Sequence, residues 1–436
     1  LVVPLAENGY YSGIPEEEVT RRTIMRYYKR KNPMLIREMI RNVYKECKGV
    51  PKGSCLTKEQ RLSLQMDEFM NRRYEFRYNT QIGEVEYRER FSFQFYFHPI
   101  DKRAQNSIML DAQSEGIGVW DRDIDRYLHS NRVPIYNPLE EFLFHLPHWD
   151  GKDRIHALAN RVPCKNPHWE LLFHRWFLNM VSHWRGVDKM HANNTSPILV
   201  GRQGTHKSTF CREMIPPALR AYYTDSIDFS HKRDAELYLN RFALINIDEF
   251  DQITLPQQGF LKHILQKPVV NLRKPHGRSV LELQRYASFI GTSNQKDLLT
   301  DPSGSRRFIC IEVTGNIDTT QPIDYEQLYA QAMHEIHHGE RYWFDSEDEQ
   351  IMTENNREFE QTPAMLQLFY QYFKTAQTKE EGEFLTPVEI LNYLKKKSGM
   401  SLSDNKVYHF GTLLQKCGIP SKHTYKGTVY QVIKLS

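Results

Sequence analysis

The chain has 436 residues, 40% apolar and 26% charged, which provides core material for roughly two to four domains and excludes collagen-like, low-complexity and wholly disordered chains. Fifty-eight basic against 54 acidic residues leave a net charge of +4, too mild by itself to imply a nucleic-acid partner. There is no apolar run of about 18 residues and no charged start followed by an apolar core, so neither a membrane span nor a secretory signal is expected. The sequence opens on Leu1 rather than Met, and further chain upstream is the expectation. The six cysteines are scattered without a CxxC pair, which points to a reduced, cytoplasmic protein with no zinc ribbon or disulfide framework.

Residues 1–68 read as a basic helical region. Residues 21–48 carry ten Lys/Arg against two Glu, and their apolar residues recur every three to four positions. That spacing predicts two amphipathic helices separated near Pro33, offering either a solvated face or a DNA-backbone or subunit contact. Residues 69–165 form a second region. Polar–apolar alternation over 72–98 predicts a β-hairpin turning at Ile82-Gly83, and 99–160 read mostly helical. Asn137-Pro138 caps and starts a helix, and Trp149-Asp150-Gly151 supplies a turn. Residues 166–345 read as an α/β core that opens with an aromatic helix over 168–186. The acidic stretch 346–361 reads as a linker. Residues 362–436 read as three helices followed by a hairpin at Lys426-Gly427.

Within the core, the apolar run Ile198-Leu199-Val200 precedes Gly201, Gly204, Thr205, His206, Lys207, Ser208 and Thr209, and a helix carrying Phe210 and Met214 follows. This is the strand–loop–helix setting of a P-loop. The glycines let backbone N–H groups and the helix start surround phosphates, Lys207 reaches the β and γ phosphates, and Ser208 holds Mg²⁺. One departure is His206, which stands where a glycine usually precedes the lysine. About 40 residues on, FALINIDEFD is an apolar strand ending in Asp248, expected to order Mg²⁺ through water, and Glu249, expected to act as general base. Asp251 reads as a surface or helix-capping residue. YASFIGTSN is a third buried strand, ending in Asn294 near the lytic water or γ-phosphate. Arg306 and Arg307 follow a Gly-containing turn, and one of them is placed to stabilise charge on the transferred phosphoryl, often across a subunit boundary.

The set GRQGTHKST, NIDEFD, FIGTSN and DPSGSRRF, with YNPLEEFLFHLPHWDGKDRI upstream, resembles the virulence-associated E family. That family is similar to the helicase half of viral and phage primase-helicases, within superfamily 3 and the AAA+ ATPases. The resemblance covers roughly residues 70–345. It implies an α/β P-loop ATPase core using ATP and Mg²⁺, assembled as a ring, typically a hexamer, on single-stranded or forked DNA. Related helicases place a basic hairpin before the sensor strand. In NLRKPHGRSVLELQRYA, with basic residues Arg273, Lys274, Arg278 and Arg285, that likeness assigns Arg273, Lys274, His276 and Arg278 to the phosphate backbone. The tail resembles a winged helix, whose second helix and wing residues Lys422 and Lys426 would contact DNA.

His334-Glu335-Ile336-His337-His338 also matches the HExxH pattern of zinc peptidases. That reading is set aside because the helix ends at Gly339 with no third ligand at an expected offset. The function expected is an ATP-dependent DNA helicase or remodelling ATPase serving replication of a mobile element or prophage. A DNA-bound ATPase switch or loader that does not unwind, and a catalytically weak nucleic-acid-binding module, are the alternatives.

Overall fold

Pro33, with φ already suited to a first helical turn, opens the helix Pro33–Cys47. Its Ile36, Ile40, Val43, Tyr44 and Cys47 recur at helical spacing and bury against Val2, Ala6 and Val19 of the helices Val2–Tyr11 and Glu16–Tyr27. These residues come from a computed structural model that describes residues 2–27, 33–47, 57–93, 95–186, 188, 190–272, 281–299, 306–361, 364–375, 382–399, 407–425 and 427–435. The chain divides into two compact units, Leu1–Asn137 and Pro138–Ser436.

In the first unit, strands Tyr74–Asn79 and Glu84–Glu89 pair antiparallel across the Ile82-Gly83 turn. Alternation sends Tyr74, Phe76 and Val85 into a core with Phe69, Met70, Ile108 and Tyr127. The other face carries cross-strand pairs, Arg77–Glu86 at 2.6 Å and Arg88–Glu75 at 2.7 Å. His98–Pro99 and a parallel two-residue strand, Ile135–Tyr136, widen the hairpin to four strands. The latter interrupts a stretch expected to be mostly helical.

The second unit opens with short helices, then α1 (Trp169–Arg185), buried on nearly every side. Trp184 and Phe177 pack on Tyr329 at ring separations of 5.1 and 5.3 Å. The chain continues through β1 (Ser196–Val200), α2 (Lys207–Glu213), β2 (Tyr223–Thr224), β3 (Leu244–Ile247), α3 (Leu255–Leu265), β4 (Val269–Leu272), β5 (Leu281–Gln284), β6 (Ser288–Ser293), β7 (Phe308–Glu312), α4 (Tyr325–His337) and α5 (Ser346–Asn356). β4 and β5 form a separate antiparallel pair. The other five strands make one sheet in the order β7-β1-β6-β3-β2, and every pairing is parallel. A parallel sheet covered on both faces needs continuous apolar strands, and β1, β3 and β6 are buried at every position. From β1 the chain crosses to the far edge, returns through β3 and β6, and then places β7 on the other side of β1. Ligands of such sheets bind at the carboxyl ends of the strands beside this reversal, which is where β1, β3 and β6 end.

Residues 346–361, read as a linker, are packed structure. Asp345 caps α5, Asp348 is buried against Arg175 and Arg341, Asn356 bonds the backbone of Phe308 and Cys310, and Phe359 joins the sheet core. The polar residues that suggest solvent in sequence are spent here on buried hydrogen bonds.

Arg285, counted in sequence among the basic residues before the sensor strand, does not lie at the surface. It is 1% exposed and donates to the carbonyls of Ala287, Leu265, Lys267, Ile264 and Asn193 at 2.7–3.3 Å. It thus ties the end of α3 to the strand entering the sheet.

The tail has helices Ala364–Tyr372, Pro387–Ser398 and Val407–Lys416, with Thr386 capping the second. Strand Gly427–Lys434 pairs with Ser421–Thr424 and also with Phe373–Thr375 and Glu383–Leu385, so the expected hairpin is one edge of a larger sheet.

Candidate functional site

β1 delivers the chain into the loop at Gly201. A Cβ there would lie 3.0 Å from the Val313 carbonyl oxygen, so the close approach favours glycine. The Gly201 N–H donates to the Ser293 carbonyl at 3.0 Å, tying the loop to the end of β6. His206 resolves its departure from the usual glycine by adopting the left-handed conformation itself, φ 66° and ψ 22°, immediately before α2. Lys207 is only 6% exposed. Its Nζ donates to the carbonyls of Gly201 and Arg202 at 2.7 and 2.8 Å and reaches Asn294 Oδ1 at 3.3 Å. Burial pushes the ammonium pKa down, and the charges of Asp248 and Asp251 oppose that.

Asp248 follows β3. Its Oδ1 accepts from Ser208 Oγ at 2.9 Å and from Thr292 Oγ1. Glu249 is exposed and left-handed, φ 54°, and its Oε2 accepts from Gln252 Nε2 at 2.7 Å. Among the described residues, His206 and Glu249 are the only non-glycine positions with positive φ. Each such position costs on the order of 1–3 kcal/mol and persists only where surrounding structure enforces it. Both stand at the ends of adjoining segments of this one site.

The sensor strand β6 approaches its neighbours so closely that a Cβ at Gly291 would lie 2.8 Å from Ile198 Cδ1 and 3.2 Å from the Ile247 carbonyl oxygen. Asp251, read as a surface or capping residue, accepts from Ser293 Oγ at 2.8 Å and from the Asn294 N–H at 3.3 Å. It therefore fixes the turn that presents Asn294 to Lys207. Thr292 and Asp251 were both missed in sequence. The available signal was the run of hydroxyls before Asn294, which the two carboxylates after β3 satisfy.

The other expected residues stand as follows. Thr205 Oγ1 donates to the Arg202 carbonyl at 2.9 Å, and Thr209 is exposed on α2. Arg306 is held by Glu349 of α5 at 2.9 Å, and Arg307 is half-buried and engaged in a contact of its own. Arg273, Lys274, His276, Arg278 and Lys426 lie outside the described residues. β4 and β5 flank the first four, in register from Val269↔Gln284 to Leu272↔Leu281. Lys422 Nζ sits 3.5 Å above the Phe384 ring.

In the HExxH stretch, Glu335 is taken up by His174, 2.6 Å from its Nε2, and by Gln331 at 2.9 Å. His338 Nδ1 lies 2.7 Å from the His334 carbonyl. Among the described residues no group of three or more His, Cys, Asp or Glu could hold a metal ion. Also among them, no helix is long and apolar enough to cross a membrane.

Residues 143–361 match the virulence-associated protein E-like domain, and residues 362–432 match a domain of unknown function, DUF3874. No curated protein matches the chain. Among solved structures, it is similar to the apo structure of the NrS-1 C-terminal region (305–718), with 12% identity, a TM-score of 0.44, and coverage of 86% of this chain and 99% of that one. Two A-form apo structures of that region are similar at 11% identity, with TM-scores of 0.42 and 0.43 and 99% coverage of each. These likenesses lend no residue roles.

Proposed function

The chain belongs to the virulence-associated protein E-like domain family, which spans half of its length, and from that premise we propose that it is an ATP hydrolase working on DNA. The observation that carries this reading is the convergence at the carboxyl ends of β1, β3 and β6. Lys207 meets Asn294 there, and Ser208 and Thr292 meet Asp248. A buried ammonium resting on its own loop carbonyls is poised to exchange them for phosphate oxygens. The Ser208 hydroxyl and Asp248 carboxylate are hard oxygen donors, which fits Mg²⁺ held with retained waters. When bound, Mg²⁺ supplies neutralisation of phosphate charge. Lys207 orients the β and γ phosphates. Asn294 positions the attacking water, and Glu249 accepts its proton once Gln252 releases the carboxylate. Thr205, His206, Thr209 and the glycines shape the loop around the phosphates. Arg306 or Arg307 serves a neighbouring subunit of a ring, typically hexameric, after exchange of the Glu349 contact.

The DNA contacts of this reading are the β4–β5 hairpin, through Arg273, Lys274, His276 and Arg278, and a winged-helix-like tail with Lys422 and Lys426. The proposed work is helicase or remodelling activity in replication of a mobile element or prophage. Hydrolysis of Mg-ATP by the full chain tests the core of this reading. Glu249→Gln is expected to retain ATP binding and to lose about 10²-fold or more in turnover. Failure of the native chain to bind or hydrolyse ATP overturns it, and undiminished turnover in the variant removes Glu249 from the base role.

A further inference from the structure

The first unit carries a feature that the nucleotide site does not use. Between Glu84–Glu89 and His98–Pro99 the chain runs through Phe91, Phe93, Phe95 and Tyr96, whose exposures are 71–96%. Burying a ring of this kind gains roughly 1.5–3 kcal/mol, so four of them left in water within six residues mark a binding surface. The segment from Arg90 to Ile100 contains no acidic residue. Arg90 and Phe97 of this segment line an open cavity of about 330 Å³ together with Arg77, Arg132, Tyr136 and a single carboxylate, Glu75, among others.

The guanidinium of Arg77 is stacked between Phe97 and Tyr136, at 4.0 and 3.7 Å from their centroids. Arg90 is oriented by the carbonyls of Asn71 and Tyr74, at 2.8 and 3.1 Å, and no carboxylate among the described residues lies within ion-pair distance of it. Arg77 is paired with Glu86 and Arg132 with Asp67, which leaves Arg90 as the groove's uncompensated guanidinium among the described residues, and an apolar protein face would match the rings but not that charge beside them. A strand of nucleotides supplies both flat unpaired bases and phosphates, the pairing that sequence-tolerant strand binders exploit.

We propose that this loop and groove bind single-stranded nucleic acid, with bases stacked on the four rings and a phosphate at Arg90. Duplex is disfavoured because its bases are already stacked.

The full chain, without nucleotide, is titrated against fluorescein-labelled oligo(dT) and against a duplex of equal length, with anisotropy as the readout. Combining Phe91→Ser, Phe93→Ser, Phe95→Ser and Tyr96→Ser is expected to weaken oligo(dT) binding at least about tenfold and to leave duplex binding unchanged. Arg90→Ala is expected to make the salt slope shallower by about one. Ultraviolet cross-linking of oligo(dT) to the native chain is expected to mark the tryptic peptide Phe91–Lys102. Absence of oligo(dT) binding by the native chain overturns the proposal, as does unchanged affinity in the ring variant with cross-links elsewhere. Unchanged affinity together with a lower native mass also overturns it, assigning the rings to a second copy of the chain. Hydrolysis of ATP without DNA reads the nucleotide site separately and is expected to be equal in both proteins.

Discussion

At the carboxyl ends of the parallel sheet, nearly every proposed working side chain is held by another, whereas in the loop of the first unit four rings stand in solvent. Asp248 is engaged by two hydroxyls, Lys207 by two carbonyls and an amide oxygen, and Glu249 by Gln252. Phe91, Phe93, Phe95 and Tyr96 keep most of their surface exposed. Charge developing on a transferred group is stabilised by groups fixed beforehand. A flexible polymer can instead be gripped by several weak and equivalent faces. Single substitutions should therefore be severe in the first region and mild in the second.

The strongest expected effect concerns what holds the sheet end rigid. Arg285→Ala leaves several buried carbonyls without a donor, at about 1–3 kcal/mol for each orphaned group. Chemical denaturation is expected to show a loss of about 3 kcal/mol or more in the transition of the unit containing the sheet. A variant with native stability would contradict this bracing role. Next, Asp251→Ala frees the turn before Asn294. The expected result is about a tenfold drop in kcat with nucleotide affinity retained, and recovery in Asp251→Asn, whose amide oxygen still accepts. A loss of ATP affinity equal to the loss in kcat would show that Asp251 acts on the loop as a whole. The smallest effect is expected for Phe93→Ser alone, roughly fivefold in oligo(dT) affinity with hydrolysis unaffected. A loss from that one ring well beyond about a hundredfold would mean a single specific pocket rather than a row of equivalent faces.

What could be read in the sequence follows the same division. Gly201, Lys207, Ser208, Asp248, Glu249 and Asn294 are legible because each closes or follows a short apolar run, and strand ends in a parallel sheet converge. The amphipathic helix Pro33–Cys47 and the Ile82-Gly83 turn are legible for a local reason, since periodicity and turn chemistry are written in neighbouring residues. Non-local pairing is not written that way. Ile135–Tyr136 joins its sheet through a strand more than 50 residues away, and nothing within the two residues signals it. Arg285 and Asp348 carry charges that composition assigns to solvent, yet both are buried where backbone carbonyls or arginines receive them. His206 and Glu249 needed the fold as well. Their left-handed backbone is imposed by the turns leaving β1 and β3 rather than by residue type. The ring loop was read only as alternation, because sequence shows which residues are apolar but not which of them find a partner.

The central claim is that Lys207 and Asp248 face one magnesium nucleotide. Lys207→Ala removes a buried ammonium bound to its own loop, so the fold is expected to survive. The direct measurement is the ATP turnover of that variant beside the native full chain in Mg²⁺, with circular dichroism confirming equal structure. A fall of about 10²-fold or more in turnover is the expected result. Equal turnover in the two proteins would contradict the account.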